Sequence, residues 1–79
     1  MTITVYESTD KTYCKILVFE NEQKLEEIQM PQFNYRNLDS RQNIINQTLL
    51  KYMNQGYKRE SELMGGVSGV MVTTYLFTK

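Results

Sequence analysis

The segment that closes the chain, SELMGGVSGVMVTTYLFTK, constrains the fold more than any other. After its glycines it is rich in β-branched and aromatic residues, which reads as a long strand. The preceding YKRESELM reads as a polar strand, and Gly65-Gly66 offers the two positive-φ positions of a tight hairpin turn. Such a turn pairs Met64 with Val67 and Arg59 with Val72. One face of the hairpin then collects Tyr57, Leu63, Val70, Val72 and Leu76, and the other collects Met64, Val67, Met71, Tyr75 and Phe77. A bulge at Gly69 would exchange the faces beyond it, but residues 70–77 are apolar on both sides either way.

The rest of the chain supplies little to cover so much apolar surface. Seventy-nine residues make one domain, 1–79, whose core is marginal at this size. TITVYES alternates, with Ile3 and Val5 on one side, and reads as a strand. TYCKILVFE is a stronger strand, apolar on both faces at its centre. KLEEIQM follows the NEQ turn as a polar strand, and its pattern also permits a short helix. Pro31 ends that element, and PQFNYRN is an irregular connection.

A helix follows, with Asp39 as N-cap and Gln42 at the capping-box spacing; Ser40 is a rival cap. Ile45, Leu49, Tyr52 and Met53 form its apolar stripe. Gly56 stands where a left-handed C′ residue belongs, with Tyr57 free to fold back on Tyr52. The expected fold is α+β: an antiparallel sheet of about five strands, ordered β-β-β-α-β-β, with one helix on one face.

One helix covers one face of such a sheet. A large side chain left in water forgoes ~1.5–3 kcal/mol of burial, so the second face calls for a partner unless the stems of Lys58, Glu60 and Glu62 cover it. Met64, Val67, Met71, Tyr75 and Phe77 are the expected homo-oligomer interface. Other staples are missing, because Cys14 is the single cysteine and there is no histidine.

Candidate binding residues fall in two loops. Gly65, Gly66, Ser68 and Gly69 lack the Lys and the following helix of a phosphate-binding loop, so they form either a plain hairpin turn or a weaker backbone nest for an anion. In QFNYRN, Phe33, Tyr35 and Arg36 are residue types that stack on bases or bind phosphate; alternatively, Phe33 and Tyr35 close the end of the core. Nothing resembles a catalytic set. Glu26 and Glu27 point to opposite faces, Glu60 and Glu62 look solvated, and Cys14 has no base beside it. The expectation is a protein that is not an enzyme, with no metal and no cofactor.

Charge is balanced, nine basic against nine acidic, which argues against a strongly electrostatic nucleic-acid binder. The balance is uneven along the chain: residues 1–30 carry −3 and residues 31–79 carry +3. Two solvated patches, attraction between copies, or an anionic ligand on the second half would each suit that division. A nucleic-acid reading would rest on Tyr35, Arg36, Arg41, Lys51, Lys58 and Arg59. The opening MTITVYESTDK is unlike a signal peptide and no run approaches membrane-span length, so a cytoplasmic setting with a reduced thiol is expected.

The run LLKYMNQGYKRESEL…YLFTK resembles a group of small bacterial and phage domains of unknown function. In these a helix ends in Gly plus an aromatic residue and leads into a hairpin. Leu49, Met53, Gly56, Tyr57 and Leu76-Phe77-Thr78-Lys79 carry the likeness; Tyr57 replaces the more usual Trp, and Arg59 a more usual apolar residue. The resemblance implies the fold and no settled activity. Taken together, these readings lead to a small binding protein acting as a homo-oligomer. It would hold a protein partner or a small anionic, nucleotide-like ligand near residues 31–38 and 65–69, in the manner of a phage or mobile-element inhibitor that sequesters its target. The alternatives are a nucleic-acid accessory protein and a structural assembly subunit.

Overall fold

The alternation at the start of the chain becomes strand β1 (Thr2–Ser8) in a computed structural model that describes residues 1–79. Ile3 and Val5 point to one side of β1 and are fully buried. A single 3-10 turn at Lys11–Tyr13, capped by the Asp10 side chain on the Thr12 N–H, leads into β2 (Lys15–Glu20). Asn21, at φ 58°, turns the chain into β3 (Gln23–Gln29), so the ambiguous KLEEIQM segment is a strand. After a second 3-10 turn (Tyr35–Asn37) comes helix α1 (Leu38–Met53), then β4 (Lys58–Val67) and β5 (Val70–Thr78).

All neighbours are antiparallel and the spatial order is β3-β2-β1-β5-β4. The first strand is therefore the centre of the sheet. The β1-β2-β3 meander grows to one side of it, and the β4–β5 hairpin docks on the other through β5. The chain travels from one edge to the opposite edge by way of α1.

The helix packs on the meander side. Its inward residues are Arg41, Ile45, Thr48 and Tyr52, and they close a core of Ile3, Val5, Cys14, Ile16, Val18, Met30 and Phe77. Met53, expected on the apolar stripe, is exposed, because the stripe turns toward Thr48 and Tyr52. Thr48 tolerates the interior because its hydroxyl donates to the Ile44 carbonyl. Asp39 and Ser40 cap nothing: α1 begins at Leu38, two residues before the start an Asp39 cap implies, and its N-cap Asn37 makes no side-chain capping bond. The 3-10 turn before it already fixes the entry, so Asp39 lies inside the first turn, where its charge favours the helix dipole.

The other end follows the sequence closely. Gly56 takes φ +96°, its N–H donates to Met53 and that of Tyr57 donates to Tyr52, which is the paired bonding of a Schellman ending. The Tyr57 ring then meets Tyr52 edge-to-face, 6.2 Å between centroids.

The hairpin turn is not at Gly65-Gly66. Val67 pairs with Val70, so Ser68-Gly69 is the turn and Gly69 carries the positive φ of +78°. Met64 faces Thr73 instead of Val67, and both Gly65 and Gly66 are extended strand residues. The shift lengthens β4 by three residues and places Met71, Thr73 and Tyr75 opposite Glu7, Val5 and Ile3 of β1. That docking onto the core outweighs the local turn signal of two adjacent glycines.

Candidate functional site

The faces of β5 decide which surface is left bare. Met71, Thr73, Tyr75 and Phe77 point to the helix side, where Thr73 and Phe77 are buried and Tyr75 packs half-buried against the core. Phe77 is thus a core residue and cannot serve at an interface. Its place is fixed by Met1, whose carbonyl accepts the Phe77 N–H and whose amino group donates to the Phe77 carbonyl. The opposite face of the sheet carries no helix. Thr2, Thr4, Tyr6, Leu17, Phe19, Val72, Thr74 and Leu76 lie there, all half-buried by their neighbours in the sheet.

Beyond the helix, β4 is exposed along its whole length. Leu63 is 59%, Met64 75% and Val67 74% exposed, and Met71 beside them is 48% exposed. Val67 belongs to β4, so it lies on the open face with Leu63, while Met64 stays on the helix side with Met71. The expected interface set is therefore split three ways: Met64 and Met71 on one exposed surface, Val67 on another, and Tyr75 and Phe77 drawn inward.

A recess of about 330 Å³ opens between the hairpin tip and the segment before α1. Its floor is the cross-strand row Gly66–Met71–Glu7, with Phe33 as an apolar wall and the hairpin-tip residues Val67, Gly69 and Val70 and the Ser8–Thr9 segment at the rim. Gly66 is required here by space and not by φ: a Cβ would lie 2.6 Å from the Val70 carbonyl oxygen. Phe33 is held by its N–H bond to the Ser8 carbonyl, and the Ser8 hydroxyl donates to the Gly69 carbonyl, tying the tip to β1.

Three of the seven expected ligand residues, Phe33, Gly66 and Gly69, come together at this recess. Gly65 and Ser68 sit beside it without lining it. Tyr35 is 79% exposed with the Arg36 guanidinium 5.8 Å from its ring, and both lie outside the recess.

Behind the floor is a buried ion pair that sequence reading did not single out. Arg41, 3% exposed, joins its Nη2 to the Glu7 carboxylate and lays its guanidinium 4.5 Å from the centre of the Phe33 ring. Burial pulls the Arg41 pKa down, and its Nε has no acceptor among the protein's own groups. The signal was present: Glu7 follows Ile3 and Val5 at the strand period, so its charge lands on the buried face, and Arg41 lies one helical turn before Ile45.

A second link joins Lys51 and the Tyr52 hydroxyl to Glu26, 3.0 and 2.7 Å away. Tyr52 and Lys51 hold the Glu26 carboxyl below its ordinary range, while burial and the Glu26 bond push Tyr52 up to about 12. The acidic first part of the chain is thus partly neutralised by the basic second part within one molecule. Cys14 is fully buried, with its thiol donating to the Ser8 carbonyl at 2.9 Å. No group of three His, Cys, Asp or Glu side chains is placed to hold a metal, and no helix is long and apolar enough to cross a membrane. No protein-family model, curated protein or solved structure matches the chain.

Proposed function

We propose that this chain is a small non-enzymatic binding protein that works as a homo-oligomer and acts by occupying or sequestering its target. The observation that carries the reading is the uncovered hairpin: β4 buries none of its ten residues, and Leu63, Met64 and Val67 stand 59–75% exposed. Apolar side chains of this size, contiguous with a bare sheet face, are the usual mark of an interaction surface. The ionisable groups support a non-catalytic role, since Glu7 and Arg41 hold each other and the buried Cys14 thiol donates to the backbone carbonyls of Ser8 and Asp10. The setting we propose is cytoplasmic, where a lone cysteine stays reduced.

Light scattering across a concentration series tests the reading directly. A dimer or larger assembly at micromolar concentration, dispersed by Leu63→Ser, is the expected result; a monomer at every concentration would remove self-association from the proposal. A nucleotide-like ligand has less support from the geometry, because Glu7 is the only charged residue lining the recess. Nucleic-acid binding is weakened too, since Arg41 and Lys51 are both engaged by carboxylates of the same chain.

A further inference from the structure

The two edges of the sheet differ in how they are guarded. β3 carries Lys24, Glu26 and Glu27 along its edge, a register shift opposite Val18 and Phe19, and bonds from Lys51 and Tyr52 of the helix to Glu26. Such charges and irregularities are how sheets avoid pairing with another chain. β4 has charges only in its first half, Lys58 to Glu62, together with a bulge between Arg59 and Ser61. Its second half, Leu63-Met64-Gly65-Gly66-Val67, has no charge, no proline and no covering element, and the backbone groups on its outer side face no neighbouring strand.

From these features we infer that the occupant of this edge is a second copy of the chain. The two β4 strands pair antiparallel about a two-fold axis at Gly65, so that Met64 of each copy lies over Gly66 of the other and enters the recess there. The inference rests on the self-association proposed above and specifies its geometry. Backbone groups alternate inward and outward along a strand, so residues opposite each other across a two-fold must differ by an even number and the axis must pass through a residue.

Each candidate axis then makes a distinct set of neighbours. An axis at Ser61 sets Glu60 against Glu62, and one at Glu62 sets that carboxylate against itself. Like charges so placed repel. An axis at Leu63 brings Glu60 over Gly66, and one at Met64 brings Glu62 there, in both cases setting a carboxylate against a recess lined by Phe33 and Met71. Axes at Gly65 and Gly66 both avoid charge, but the axis at Gly66 sets Met64 and Leu63 against the turn residues Ser68 and Gly69. The axis at Gly65 sets Leu63 against Val67 and Met64 against Gly66, so the whole uncharged segment pairs with itself inside the strand.

The fit extends to shape. Gly66 presents no side chain and admits none, since a Cβ would strike the Val70 carbonyl, so the recess above it stays open. Phe33, Val67, Val70 and Met71 are its apolar lining residues. An unbranched, polarisable side chain suits such a gap, and methionine is the residue that adapts to it most readily. Gly65 on the axis has open space where a Cβ would be, which lets two backbones approach symmetrically.

Disulfide trapping tests the register. Gly65→Cys in the full chain, under mild oxidation, is expected to give a covalent dimer, because facing residues on the axis have the Cα separation a disulfide needs. Leu63→Cys is expected to stay unlinked, since its symmetry mate lies four residues away along the strand, about 13 Å. Cys14 has no surface exposure and will not compete. Met64→Ser is expected to weaken association at least about tenfold, with Met64→Leu restoring most of it.

Association of the unaltered protein together with failure of Gly65→Cys to cross-link, or with equal cross-linking through Leu63→Cys, overturns this register and leaves self-association standing. A monomer in light scattering overturns both.

Discussion

The half of the molecule under the helix and the hairpin beyond it are built from similar strands and end in opposite states. β1 and β2 each bury two side chains fully in the core, Ile3 and Val5 from one, Ile16 and Val18 from the other. β4 places none, although Leu63, Met64 and Val67 are as apolar as the residues that are buried. Composition does not separate them; reach does. A sixteen-residue helix leaving from beside β3 covers the meander and the inner side of β5, and its width ends there. A strand that the only helix cannot reach keeps its apolar residues for something outside the chain.

The sharpest way to break this contrast is to cut once on each side of it. Phe77→Ala removes a buried ring that the core cannot refill, and a loss of about 3–5 kcal/mol in denaturant unfolding is expected. Leu63→Ser on the exposed strand should change unfolding of the monomer by less than about 0.5 kcal/mol. Equal costs would show that β4 is not a free surface of the folded chain.

Glu7→Leu probes the join between the halves. It strands a guanidinium that is 3% exposed, and a buried charge left unpaired costs about 3–5 kcal/mol, much of the stability of a domain this size. Glu7→Leu combined with Arg41→Leu should recover most of that loss in the same denaturation assay, because neither charge is then orphaned.

Alkaline pH reaches the covered half selectively. Tyr52 has a folded pKa raised from 10.0 to about 12, so folding holds its proton more tightly than the unfolded chain does. That contribution is complete below pH 10 and is lost as pH rises toward 12. Unfolding midpoints should fall across this window and do so less in Tyr52→Phe. At the acid end the sign reverses: Glu26 has a depressed pKa, so its contribution is present at neutral pH and lost as pH drops through its folded value. At the helix end, Gly56→Ala meets a φ of +96° and should cost about 1–2 kcal/mol by thermal denaturation.

Much of the fold was legible because local signals agreed with one another. Alternation in TITVYES, the apolar centre of KILVFE, and Gly56 with Tyr57 each led to the element that forms. The hairpin register was not legible. Gly65-Gly66 is the stronger turn signal by residue type, but the competing turn at Ser68-Gly69 lets β5 dock its odd-numbered residues on β1, and no local pattern reports that gain. The recess was half legible. Phe33, Gly66 and Gly69 come from segments already suspected of binding, whereas Glu7 and Arg41 required knowing that one strand face and one helix face meet.

What the sequence determined by itself was the inventory: four strands, one helix, a polar segment open to either form, and more apolar surface than that helix can cover. Those follow from side-chain period and area, which are properties of short segments. Which residues are left bare was decided only by the tertiary structure. Burial depends on which element lies opposite, and a shift in one turn moved Val67 to the open face, while docking on β1 drew Phe77 into the core.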